Sequence, residues 1–235
     1  MNKKYSILFS GAIALVMTAA IYGCEKDYVA PPPPASKSFV EEFDTVANLY
    51  SKGWVFVNNS RPQGAATWQQ GVFTSGKLGI DGWPAFSYKG SADEYMFAGY
   101  ASGQGIATLS SWMITPPIEM KNGDRFSFYT RTYTGSTYPD RLQVRMNRTD
   151  NTPDVGIDSS SVGKFTTLLD DINPNLSSSA TTGYPQTWKK FEYTISGLPA
   201  PVKRRIAFRY YVPNGGTTGA NSNAIGIDLF QFISN

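Results

Sequence analysis

The chain has 235 residues, with 21 Lys and Arg against 18 Asp and Glu for a formal net charge of +3, no histidine and a single cysteine. Without histidine, Ser-His-Asp and Cys-His nucleophile systems, imidazole acid–base chemistry and nearly every zinc or iron site are excluded. The near-neutral balance carries no nucleic-acid or polyanion footprint, and Lys203, Arg204 and Arg205 form the one basic cluster, expected at a solvated strand end.

The chain opens with Met1, Asn2, Lys3 and Lys4, followed by an apolar run from Ile7 to Ile21. A spanning helix needs about 20 apolar residues, so this length fits the hydrophobic region of a secretory signal covering residues 1–23. Ile21-Tyr22-Gly23-Cys24 resembles a bacterial lipobox, although Tyr22 is bulky for it. Cys24 has no second cysteine to pair with, and lipidation accounts for it. The alternative is an uncleaved anchor helix with an incidental cysteine. Glu25, Lys26 and Asp27 resemble the surface-export signal of Bacteroidetes lipoproteins, the alternative being an ordinary solvated linker. Pro31 to Pro34 favour polyproline II, so residues 24–37 read as a lipidated, semi-rigid tether. Removing Lys3 and Lys4 with the signal leaves a net charge of +1.

Residues 38–235 read as one all-β domain. Its 14 Tyr, 14 Phe, 5 Trp, 22 Gly and 15 Pro suit short strands joined by turns. Strands are predicted over 38–43, 53–58, 67–73, 94–100, 109–115, 125–132, 141–146, 188–195, 205–212 and 225–233. Phe126, Phe128 and Thr130 alternate with polar neighbours, as do Leu142, Val144 and Met146, and Ile206, Phe208 and Tyr210. That is the pattern of sheets buried on one face. Asn122-Gly123-Asp124, Thr134-Gly135-Ser136 and Asn214-Gly215-Gly216 supply turns. A short helix is expected over 44–50 with Asp44 as N-cap. Residues 147–183 form a polar excursion with an ordered piece near 165–172. The expected fold is an antiparallel two-sheet jelly-roll β-sandwich.

Several segments then resemble the choice-of-anchor J and cleaved-adhesin domain family in order. They are Phe39-Val40-Glu41-Glu42-Phe43-Asp44, Gly53-Trp54, Thr67-Trp68, Ser111-Trp112-Met113-Ile114-Thr115-Pro116-Pro117-Ile118, Asp140-Arg141-Leu142-Gln143-Val144, Ile206-Ala207-Phe208-Arg209-Tyr210-Tyr211 and Gly226-Ile227-Asp228-Leu229. The resemblance spans residues 38–235 and implies a non-catalytic jelly-roll recognition domain of Bacteroidetes surface proteins, similar to galactose- and carbohydrate-binding modules. It also implies a structural calcium ion between the first and last strands, for which Glu42, Asp44 and Asp228 are the candidate oxygen ligands. The alternative has Asp44 capping the helix and Asp228 paired with Arg209.

Sugars present apolar C–H faces, so exposed rings beside hydrogen-bonding groups are the candidate ligand platform. Trp83, Phe86 and Tyr88 follow the Gly79–Gly82 turn, while Tyr138 is joined by Asp140 and Arg141. The alternative is inward packing of the rings, and Trp54, Trp112 and Trp188 fall within strand patterns expected in the core. Adjacent acids at Asp93-Glu94 and Asp170-Asp171 would diverge on a strand, which disfavours glycoside hydrolysis. The sequence therefore points to a non-enzymatic surface module held in the outer membrane by lipid alone, with a glycan or a cell-surface protein as partner.

Overall fold

The computed structural model describes residues 37–73 and 87–235, and all structural statements below concern these residues. Two antiparallel sheets face each other. The six-stranded sheet contains β1 (Phe39–Glu41), β4 (Gln69–Gln70), β5 (Met96–Gly99), β8 (Arg125–Thr132), β11 (Lys189–Thr194) and β13 (Ala224–Ile233), in the order β11-β8-β13-β5-β4 with β1 beside the far half of β13. The seven-stranded sheet contains β2 (Val55–Asn58), β3 (Arg61–Gln63), β6 (Gly103–Ile114), β7 (Ile118–Met120), β9 (Leu142–Asn147), β10 (Thr167–Ile172) and β12 (Val202–Gly215). Its order is β10-β9-β12-β6-β2, with β3 on β6 and β7 on β12.

Period-two alternation sets this arrangement. Phe126, Phe128, Leu142, Val144, Met146, Ile206, Phe208 and Tyr210 are all fully buried, so each alternating set turns inward as its pattern predicts. Rings close the gap between the sheets: Phe208 of β12 meets Phe128 of β8 edge-on at 4.8 Å and Phe230 of β13 at 6.0 Å. Each such ring contributes about 1.5–3 kcal/mol through burial.

Two expectations are corrected in detail. The helix over 44–50 is one 3-10 turn, Val46–Leu49, preceded by Thr45, so Asp44 does not cap it. The strands β3 and β7 lie in segments read as loop. A second 3-10 turn, Tyr100–Ser102, completes the helical content among the described residues.

The polar excursion is tied down. Val155, Val162 and Phe165 cover Trp112, Ile114, Ala207, Val55 and Val57 on the outer side of the seven-stranded sheet, forming a second, smaller core. Arginines fasten its backbone. Arg61 donates to the Ile157 carbonyl at 2.8 Å, Arg145 to Phe165 at 3.2 Å, Arg204 to Arg148 at 2.9 Å, Arg205 to Asn151 at 2.7 Å, and Arg209 to Ser159. The Lys203–Arg205 cluster is therefore not merely a solvated strand end. Two of its guanidinium groups hold backbone carbonyls of the excursion.

Candidate functional site

One end of the sandwich carries a depression between the loop joining β8 to β9 and the loop joining β10 to β11. The first loop turns at Gly135, which has φ +79°, and Ser136 donates its backbone N–H to the Tyr133 carbonyl at 3.2 Å. The second is clipped to the first by its own side chains. Gln186 accepts the Gly135 N–H at 3.0 Å, and the Asn173 amide donates to the Asp140 carbonyl at 2.8 Å and to the Ser177 carbonyl at 3.0 Å. The Thr132 N–H reaches the Pro185 carbonyl at 2.6 Å. These bonds set the loop spacing without a helix or disulfide.

The depression is shallow and open to solvent, and its walls include Ser136, Tyr138, Ser177, Ser178, Ser179 and Gln186. Tyr138 is half exposed at 51 %. Its neighbours are hydroxyl and amide groups, an arrangement that pairs a ring face with hydrogen-bonding partners.

Asp140 lies at the floor, and here the sequence expectation is corrected. Its carboxylate is fully buried and accepts hydrogen bonds from the Thr132 and Tyr210 hydroxyls and from the Asn223 N–H at 2.9 Å. It organises the loops and has no exposed oxygen for a ligand. Burial pushes its carboxyl up to about 7, against the opposing pull of those hydrogen bonds. Below it, Tyr184 shares a 2.7 Å hydrogen bond with Thr130. Arg141 is corrected as well: it does not line the depression. Its side chain turns to the outer side of the seven-stranded sheet and grips Asp171 through Nε at 2.7 Å and through Nη2.

The other candidate rings divide. Trp83 and Phe86, like Cys24, lie outside the described residues. Tyr88 stacks on Tyr129 with ring centroids 3.6 Å apart and meets Trp188 edge-on at 6.5 Å. The sequence reading placed Trp188 in the core. Instead it sits half-buried on the outer side of the six-stranded sheet with Tyr95, Phe97 and Tyr133. Gly226 makes room for it, because a Cβ there would come within 2.8 Å of the Trp188 ring. A lone glycine in the outward phase of β13, between Ala224 and Asp228, was the available signal for such close approach.

The proposed calcium ligands are arranged differently from a cation site. Asp228 is buried, and its two oxygens accept the Leu229 N–H at 2.6 Å, the Tyr88 N–H at 2.7 Å and the Lys89 N–H at 3.1 Å. Leu229 lies in the left-handed region with φ +49° at a bulge in β13, so the carboxylate supports a strained turn and anchors the segment bearing Tyr88. Glu42 pairs with the Lys89 ammonium, while Asp44 is exposed. Burial, then the charges of Glu94, Glu42 and Glu41, hold the Asp44 carboxyl above its ordinary value. Among the described residues no three acidic groups converge to hold a metal. Amide hydrogens aimed at Asp228 would repel a cation, so this arrangement does not fit the ion. Arg209, the alternative partner of Asp228, belongs to the other sheet.

Comparison with known proteins adds the fold. No family model and no curated protein matches the sequence. Among solved structures, the K1 cleaved adhesin domain of Lys-gingipain from Porphyromonas gingivalis is similar over 84 % of this chain and 98 % of that one, with 18 % identity and a TM-score of 0.51. Its K3 cleaved adhesin domain gives 83 % and 98 % coverage, 16 % identity and a TM-score of 0.49. A family 11 carbohydrate-binding module from Clostridium thermocellum, solved with a mixed-linked tetrasaccharide, gives 85 % and 95 %, 14 % identity and 0.41. The chain thus has the two-sheet β-sandwich fold seen in the K1 cleaved adhesin domain.

Proposed function

We propose that the protein is a non-catalytic recognition module, held at the outer-membrane surface by lipid on Cys24, that binds an extracellular glycan in the depression at the Tyr138 end of the sandwich. The observation that carries this reading is the exposed Tyr138 ring set beside hydroxyl and amide walls from Ser136, Ser177, Ser178, Ser179 and Gln186. An apolar ring beside closely spaced hydroxyl-binding groups matches the two surfaces of a sugar. Asp140 is the single carboxylate lining the depression. Glycoside hydrolysis needs two facing carboxyl groups about 5–9.5 Å apart, so binding is favoured over cleavage.

Presenting the full chain to a panel of neutral and charged glycans tests the proposal. We expect a reproducible ligand whose affinity falls about tenfold or more in Tyr138→Ala with no change in melting temperature, a loss equivalent to about 1.4 kcal/mol. A panel without ligands, or ligands indifferent to Tyr138→Ala, rejects the pocket and leaves a protein partner as the working alternative. Cys24→Ala tests the anchor separately: if membrane partitioning is unchanged, lipidation is rejected.

A further inference from the structure

The outer side of the seven-stranded sheet, away from the end depression, carries a linked set of polar groups. Registered pairing places Asp171, Gln143, Arg209 and Trp112 in one row across β10, β9, β12 and β6. Gln143 joins the row: its oxygen accepts Arg145 Nε at 2.9 Å and Arg209 Nη1 at 3.1 Å, and its amide donates to Asp171 at 3.0 Å. Arg209 lies 4.8 Å from the Trp112 ring and 4.0 Å from the Tyr211 ring, and Arg141 lies 5.1 Å from Tyr211.

Positive charge exceeds negative charge in this set. Of the three guanidinium groups, Arg141 has a carboxylate at ion-pair distance, while Arg145 and Arg209 have none among the described residues. The next acid, Asp158, spends its Oδ1 on the Ser160 and Ser161 amides at 2.9 and 2.8 Å. Arg209 is only 2 % exposed, and burial pushes its guanidinium down to about 10, so it stays charged at neutral pH. An unneutralised buried cation is costly, and a bound anion offsets that cost. Donors remain available for one. Arg141 Nη1, Arg145 Nη2 and the Tyr211 hydroxyl have no hydrogen-bond partner among the described residues. None of the three residues is fully buried.

We propose that this sheet surface is a second binding site, which takes an anionic group on a saccharide chain, a uronate carboxylate or a sulfate ester, through Arg141, Arg145 and the Tyr211 hydroxyl. The saccharide carrier rests on the function proposed above, whereas the anionic requirement rests on the guanidinium groups alone. Planar guanidinium donors match both oxyanions, and an ionised acceptor strengthens each hydrogen bond.

The test uses the full chain in detergent with polygalacturonate as carboxylate probe, dextran sulfate as sulfate probe and unmodified dextran as the neutral match. At least one anionic polymer is expected to bind, more weakly as salt is raised. Arg145→Gln and the isosteric Tyr211→Phe should each weaken that binding about tenfold. Arg125→Gln, on the opposite sheet, should leave it unchanged. Which probe binds identifies the anion. The proposal is overturned if neither anionic polymer binds, if both sheet-surface variants bind as wild type, or if Arg125→Gln loses as much as Arg145→Gln. Because Arg141, Arg145 and Tyr211 do not line the end depression, failure of the end pocket leaves this result readable.

Discussion

The Tyr210 hydroxyl donates to the Asp140 carboxylate, joining the inner side of β12 to the loop that enters β9 at a point sealed from solvent. Two further donors, Thr132 and the Asn223 backbone, complete the acceptor's shell. The carboxylate thus holds three chain segments at the end of the sandwich that carries the depression.

This carboxyl makes stability depend on pH. Its folded value of about 7 exceeds the unfolded value of about 3.9. Between those values the folded state holds the proton more tightly, so stability is greatest at the acid end and falls as pH rises toward 7. Asp228, also raised to about 7 by burial, adds with the same sign. Urea denaturation of wild type and Asp140→Asn at pH 5 and pH 8 checks the expectation. The wild type should lose about 2–3 kcal/mol more than the variant over that interval. Parallel losses would remove Asp140 from the account.

Arg209 is expected to fasten the 148–166 excursion. Arg209→Ala removes the bonds to Ser110, Gln143 and Ser159 and leaves a gap between Trp112 and Tyr211. The cost should be about 2–4 kcal/mol, with new protease cleavage between residues 148 and 166. A variant as stable and as resistant as wild type would show that Val155, Val162 and Phe165 hold the segment unaided.

Asp228→Ala should free three backbone N–H groups and leave Leu229 strained, lowering stability by about 1–3 kcal/mol. Amide hydrogen exchange at Tyr88 and Lys89 should accelerate. Since both carboxylate oxygens already serve N–H donors, chelator should leave the wild-type melting temperature unchanged. A melting temperature lowered by chelator and restored by calcium would reject that reading.

The strands were legible where one side of a sheet is buried, because residues such as Phe126 and Phe128 must then alternate with polar partners. β3 and β7 were not, being three residues long, with a proline inside one and just ahead of the other. Tyr138 was a readable candidate because it follows a glycine turn in a polar loop. The role of Asp140 was hidden, since its burial depends on Tyr210, seventy residues further along. Arg209 and Tyr211 occupy the polar phase of β12, which sequence alone assigns to solvent. Trp112 offered the counter-signal: its neighbour Met113 takes the main core, so the tryptophan needs cover on the other side.

The fastening of the excursion has a consequence for how freely it can change. Arg61, Arg145, Arg204, Arg205 and Arg209 grip main-chain carbonyls, which every amino acid supplies. The arginines therefore hold the path of this segment through its main chain, while Val155, Val162 and Phe165 supply its side-chain contacts with the sheet. An outward position such as Ile157, which is 83 % exposed, is therefore expected to accept other side chains without loosening the attachment. Change in this segment is thereby confined to its outward side chains, while its main chain and its apolar underside stay tied to the β-sandwich.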